Sequence, residues 1–296
     1  MNKITCILLT TCFVLGAANV IKAQDQDLLN LVKDSSKTKK EWASGAFKST
    51  RVINGQSMEL LGKGVLDVRI LHRFGLLNSG AKEFFGLDQA SMRMGFDYGI
   101  TNNLMVGVGR STLNKELDGF VKFRPLRQAV NGGLPFSIVL VSGVTVQTLP
   151  WTDTTRKNYF SSRVAYYGEL IIGRKFCNAF SLQLSPILVH RNLVTNANQE
   201  NNTIALGIGA RLKLSKRTAF VVDYHPILSG REPGTKDPLS MGFDIETGGH
   251  VFQLHFSNSN GMNEKAFLTG TTGDFWKGDI RFGFNLSRVF QVAKRK

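Results

Sequence analysis

The chain has 296 residues, enough for one large domain or two ordinary ones. Hydrophobic residues make up 42% and charged residues 20%, and 30 Gly stand against 7 Pro, which excludes low complexity, a collagen repeat and wholesale disorder. Mean hydropathy is −0.07 and the only long apolar run is at the N-terminus, which excludes a bundle of transmembrane helices, and the formal charge is +15.

Residues 1–23 read as a signal peptide: a basic start at Lys3, an apolar run from Ile4 to Ala18, and small Ala23 with cleavage expected after it or after Gln24. Losing Lys3 and Lys22 with the leader takes the charge to +13 and leaves Cys177 as the remaining cysteine, so no internal disulfide is expected. Phe176-Cys177-Asn178 lies between apolar runs, where a turn is expected. An exported protein is not expected to meet nucleic acid, so the basic excess is matched to an anionic lipid or polysaccharide surface. Residues 24–63 read as a periplasmic segment: a brief helix around Leu28–Val32, a basic tether, and a further strand candidate at Ala46–Ile53 that is either periplasmic or an inward plug.

From Gly64 onward the signal has period two. Twelve strands are expected, at 64–73, 90–99, 103–112, 115–124, 134–147, 160–174, 179–192, 202–214, 217–226, 238–247, 249–257 and 275–290. Ile204, Leu206, Ile208, Leu212 and Leu214 share one face of the eighth, and Gly207, Gly209, Arg211 and Lys213 the other. With no helical segment between strands, the fold class is all-β and antiparallel. Short links alternate with long ones, with exceptions near Asn114 and at 125–133. An outer-membrane barrel over 64–290, with a basic tail at 291–296, predicts that alternation and the even count. The alternative is a soluble β-sandwich or a periplasmic lipid-binding barrel. Against it, the polar face is rich in Gly and paired charges, as a crowded narrow lumen requires, and the strands are long enough to cross a bilayer when tilted. Trp151, Tyr159 and Trp276 fall near strand ends, where interfacial aromatics are favoured. Phe282, Phe284 and Phe290 give the last strand the aromatic character that barrel-assembly machinery recognises, although the chain runs on through Gln291–Lys296.

Several strings occur together: Phe47-Lys48-Ser49-Thr50-Arg51-Val52-Ile53-Asn54-Gly55-Gln56-Ser57, His72-Arg73-Phe74-Gly75, Gly86-Leu87-Asp88-Gln89, Tyr98-Gly99-Ile100-Thr101, Gly109-Arg110-Ser111 and Gly283-Phe284-Asn285-Leu286-Ser287-Arg288-Val289-Phe290. As a set they resemble the DUF5777 family of β-barrel proteins of Bacteroidota, across most of the mature chain. The resemblance implies an outer-membrane location and carries over no activity.

Chemistry is sparse. His225 and His255 fall on the polar face with Asp223 and Asp244 on neighbouring strands, which fits a hydrogen-bonded interior better than a metal site. His190 and His250 face outward without a serine motif, so no catalytic residue, metal or cofactor is assigned and no enzyme is expected. The lumenal set is Asp67, Arg69, Arg93, Asp97, Asp118, Lys122, Arg163, Glu169, Arg211, Lys213, Asp223, His225, Asp244, Glu246, His255, Asp279 and Arg281. His72 and Arg73 close the first strand and form a mouth candidate, also readable as a plain strand end. The leading expectation is a channel or transporter for small polar or anionic solutes. The near balance of sign fits a salt-bridged, filled lumen equally, hence a second expectation of a closed scaffold barrel that binds a periplasmic or surface protein. A lipid-modifying barrel enzyme is the third.

Overall fold

The computed structural model describes residues 41–293 apart from 153, 156 and 195–198. The expected leader, the brief helix with most of the tether, and the end of the basic tail lie outside the described residues.

Thirteen strands form one closed antiparallel sheet. They are β1 Val65–Leu76, β2 Ala90–Gly99, β3 Leu104–Ser111, β4 Glu116–Leu126, β5 Ser137–Gln147, β6 Val164–Lys175, β7 Phe180–Arg191, β8 Asn202–Lys213, β9 Thr218–Tyr224, β10 Ile227–Ser229, β11 Leu239–Thr247, β12 His250–Ser257 and β13 Arg281–Gln291. Both β9 and β10 pair with β8, and only His225-Pro226 separates them, so they are two halves of one stave. Proline has no N–H to offer the ladder, which accounts for the break. The barrel therefore has twelve staves, as expected from period two. Closure comes from β13, which pairs with β12 on one side and β1 on the other. Every neighbouring pair is antiparallel, and the β8–β9 and β1–β13 pairings close the staves into a ring; β10, past the His225-Pro226 break, pairs with β8 alone.

The inside-out distribution of polarity sets this barrel apart from a sandwich. Along β2, Ser91, Arg93, Gly95, Asp97 and Gly99 are buried while Met94 and Phe96 are exposed. Along β4, Glu116, Asp118, Lys122 and Arg124 are buried while Leu117, Val121 and Phe123 are exposed. Val108, Leu140, Ile172, Leu184, Phe243 and Leu254 continue this outward apolar face around the sheet. A soluble domain would bury the second set and solvate the first. Here the apolar wall meets lipid and the charged wall faces inward, which removes the sandwich alternative.

This assignment has a direct consequence at Val121, midway along β4 and 49% exposed. On a soluble surface Val121→Arg would be nearly neutral. On a lipid face near the bilayer midplane it should cost roughly 2–4 kcal/mol. Equilibrium unfolding from lipid vesicles measures the loss, and no change in the midpoint would place this face in water.

The links at one end of the barrel, 100–103, 127–136, 176–179, 214–217 and 248–249, are mostly tight, and Cys177 sits in the third. Those at the other end, 77–89, 112–115, 148–163, 192–201, 230–238 and 258–280, are mostly long, as the outward-facing links of such barrels are, and this end is termed outer. The link 258–280 holds a short helix, α1 Glu264–Gly270.

Candidate functional site

The site is the barrel interior, built by two segments that meet there. Residues 46–58 run inside the barrel and are almost wholly buried. They form a tight turn: the Val52 N–H donates to Gly55 O at 2.9 Å and the Ser57 N–H to Thr50 O at 3.0 Å. Arg51 and Gln56 form the single bridge of that turn. Ala46–Ile53 is thus no thirteenth stave.

A turn that joins no sheet must find other partners for its backbone, and wall side chains supply them. Lys122 Nζ donates to Thr50 O (3.0 Å), Gln253 Nε2 to Val52 O (2.6 Å), Asn285 Nδ2 to Ile53 O (3.0 Å) and Gln183 Nε2 to Gln56 O (2.6 Å). Gln183 Oε1 accepts from the Met58 N–H at 2.8 Å. At the tip, Asp223 Oδ2 accepts from the N–H groups of Ile53, Asn54 and Gly55 at 3.3, 2.7 and 3.0 Å, while its Oδ1 meets His225 Nε2 at 2.8 Å. Successive N–H groups converging on one oxygen make an anion nest, here filled by a carboxylate of the wall. Gly55 fits because a Cβ there would stand 2.7 Å from the His225 ring. Arg73 Nη2 holds Asn54 Oδ1 at 2.6 Å, and Asn54 Nδ2 donates to Ser240 Oγ at 3.0 Å.

The second segment is the β12–β13 link. Asn263 caps α1 by accepting from the Ala266 N–H at 2.8 Å. Its Nδ2 donates to Glu116 Oε2 at 2.8 Å, and Lys265 Nζ meets Glu116 Oε1 at 2.6 Å. Met262, Phe267 and Leu268 are fully buried, and the Phe267 ring lies 4.8 Å from that of His225. The two segments join through one ion pair: Arg51 Nη1 to Glu264 Oε1 at 2.9 Å, both side chains 1% exposed. Gln56 Nε2 donates to the same Glu264 oxygen at 3.1 Å, and Arg51 Nη1 also holds Asn54 O at 2.6 Å.

Most of the acidic and basic residues expected on the polar face lie on the inner wall. Asp67, Arg69, Arg93, Asp97, Asp118, Lys122, Glu169, Arg211, Asp223, His225, Asp244 and His255 are buried there, and Lys213, Glu246 and Arg281 are half-buried on the same face. They meet each other and the turn. Arg69 Nη2 bridges Asp67 Oδ2 (2.5 Å) and Thr50 Oγ1 (2.8 Å), Arg93 forks onto both oxygens of Asp118, and Glu246 pairs with Lys48 at 2.5 Å. Among the described residues no group of three or more His, Cys, Asp or Glu is placed to hold a metal.

Three residues stand elsewhere, and a fourth, Arg73, is on the inner wall but not at a mouth. Arg163 belongs to a 3-10 turn at Phe160–Arg163, before β6, where it donates to Gln147 O at 3.0 Å and stacks 4.0 Å from the Trp151 ring. Asp279 precedes β13 in the outer link, where the Asp274 N–H and the Asn78 amide hold its carboxyl below the usual range. In both cases the period-two pattern was extended past a strand start. His72 and Arg73 are not at a mouth, because β1 continues to Leu76 and adjacent strand residues face opposite ways. His72 lies outward, stacked on Phe284 at 4.9 Å, and Arg73 lies inward against Asn54 and Asn285. His190 also lies outward, with Nδ1 2.7 Å from Asn202 Oδ1. Sequence reasoning missed Gln183, Gln253, Asn285 and Glu264. Uncharged amides on a polar face gave no charge signal, but the glycines beside them did: a Cβ on Gly209 would stand 2.9 Å from both Gln183 and Val52.

Among solved structures the chain is similar to the NanC porin (8% identity, 76% of this chain and 98% of that one, TM-score 0.46). It is also similar to the outer membrane protein Omp33 of Acinetobacter baumannii (10% identity, 76% and 97%, TM-score 0.39) and to OmpF of Salmonella typhi, solved with daunomycin (8% identity, 76% and 97%, TM-score 0.39). No curated protein matches the sequence. A family model described as a membrane-bound β-barrel domain matches residues 47–290, the inner turn and all the staves together. The chain belongs to that family, DUF5777, and is a membrane-bound β-barrel.

Proposed function

We propose that this barrel is a gated conduit for small polar or anionic solutes, closed by the turn at 46–58, with α1 tied to that turn through Arg51 and Glu264 and displaced with it. The observation that carries the reading is the way the turn is held. Its backbone is bound by wall side chains and not by a sheet ladder, so water can take over each of those bonds when the turn leaves. Withdrawal would uncover a polar wall on which Arg69, Arg73, Arg93, Lys122 and Arg211 stand beside Asp67, Asp97, Asp118, Glu169, Asp223 and Asp244, a lining for small hydrophilic solutes in which Arg73, Lys122 and Arg211 are the cations without an ion pair among the described residues. On this reading residues 24–45 are the periplasmic tether of the turn, barrel-assembly machinery recognises the aromatic face of β13, and no catalysis is involved.

The Arg51–Glu264 pair favours a second reading, because it ties the inner and outer fillings into one body: a permanently closed scaffold that presents its loops or tether to a periplasmic or surface protein. Solute uptake separates the two. Proteoliposomes carrying Asp223→Ala, with the tip of the turn released, should admit glucuronate faster than glucose, and adding Arg211→Gln should reduce that preference severalfold. A folded Asp223→Ala barrel that admits neither sugar would leave the scaffold reading.

A further inference from the structure

Above α1 the outer mouth holds a cavity of about 640 Å³, within the range that accepts a small-molecule ligand. It lies on the outer side of the filling, so it is reachable while the barrel is closed. Its walls converge from separate elements: Arg163 before β6, Arg191 at the end of β7, Lys265 on α1 and Arg281 at the start of β13. Glu232 is the one carboxylate among the lining residues, and Gln147 and Asn260 are among those that add neutral hydrogen-bonding groups.

We infer that this vestibule binds a small hydroxylated anion, a carboxylate or phosphate carried on a polyol body of mono- to disaccharide size. The charge balance supports an anion: four cations line the cavity, and the acids in contact with them, Glu232 on Arg191 and Glu116 on Lys265, pair with two. Arg163 and Arg281 make no ion pair among the described residues, and Arg281 uses Nη1 on Phe74 O at 3.2 Å. Arg163 is pinned by two backbone carbonyls and the Trp151 ring, which fixes its fork in place without neutralising it. Guanidinium groups held in this way bind carboxylate or phosphate through paired N–H donors. The amide groups and the small hydroxyls of Ser162 and Thr269 suit the neutral remainder of such a molecule.

The floor of the vestibule is also the stopper. Lys265 faces the cavity and Glu116, while Glu264, one residue earlier, holds Arg51 of the inner turn. Occupancy of the vestibule therefore bears on the element that closes the conduit. This inference rests on the conduit reading for its purpose but not for its site.

Calorimetric titration of the refolded full chain with glucuronate, glucose 6-phosphate and glucose tests it. At least one of the two charged sugars should bind tenfold or more tightly than glucose, and the tighter of the two identifies carboxylate or phosphate as the recognised group. Arg281→Gln should weaken that binding at least tenfold in a barrel that still shows heat-modifiable gel migration. Equal affinity for all three sugars, no binding, or an unchanged affinity in folded Arg281→Gln would overturn the site. If charged sugars bind while Asp223→Ala vesicles admit no solute, the site stands and the conduit reading falls. If solute enters but the titration is silent, the reverse holds.

Discussion

Replacing Arg51 by methionine should destabilise the barrel more than any other single change in the inner turn. Arg51 and Glu264 are both 1% exposed and lie 2.9 Å apart, so removing the cation strands a carboxylate away from bulk water. Breaking one partner of a buried pair costs about 3–5 kcal/mol, well above the median value of an exposed pair. Gln56 still donates to Glu264 in the variant, but it brings no charge. The loss should appear as a lower midpoint for disappearance of the folded, fast-migrating gel band in urea. Adding Glu264→Gln to Arg51→Met should restore most of that midpoint, because the stranded charge goes with it. If the double variant is as weak as the single one, packing of the Arg51 stem is the main contribution and the ion pair is not.

The second large effect is expected at Asp223. Its Oδ2 collects three N–H groups of the turn and its Oδ1 holds His225, so Asp223→Ala leaves four donors without their acceptor. A buried donor left unsatisfied costs about 1–3 kcal/mol. The strands contribute little to this site beyond carrying the carboxylate, so the cost falls on the seated turn and not on the sheet. The turn should therefore leave its seat before the barrel unfolds. Trypsin added to intact proteoliposomes reads this directly: cleavage after Lys48 and Arg51 should be at least tenfold faster in Asp223→Ala, with the stave fragments uncut. Equal rates would show that the nest does not decide whether the turn is seated.

These two residues also show what the sequence makes legible. Asp223 was readable as an inward side chain because Val221, Asp223 and His225 share one face of a period-two run, while Phe220, Val222 and Tyr224 share the other. That rule is local, and it held for most of the wall. The partner of Asp223 was not readable, since Asn54 lies 169 residues away and nothing local links an Asn-Gly turn to a particular carboxylate. Glu264 was missed for the same reason. It sits in an outer link, where alternation says nothing, and it becomes an interior residue only because Met262, Phe267 and Leu268 carry the link into the barrel. Arg163 and Asp279 fall outside the expected lumen because alternation in the sequence continues past the true strand starts. His72 and Arg73 do not form a mouth pair, since period two itself puts neighbours on opposite faces. The interior glycines point to a crowded lumen without naming what crowds it: a Cβ on Gly55 or Gly283 would stand 2.7 Å from an imidazole, and each marks where something large comes close.

Planar-bilayer conductance of the intact chain beside Asp223→Ala tests the gated-conduit account most directly. The account predicts a silent intact barrel and steady, anion-favouring conductance from the variant, both shown folded by heat-modifiable migration. Silence from a folded Asp223→Ala barrel whose turn trypsin can reach would contradict it, because the turn would then have left and no path would lie behind it.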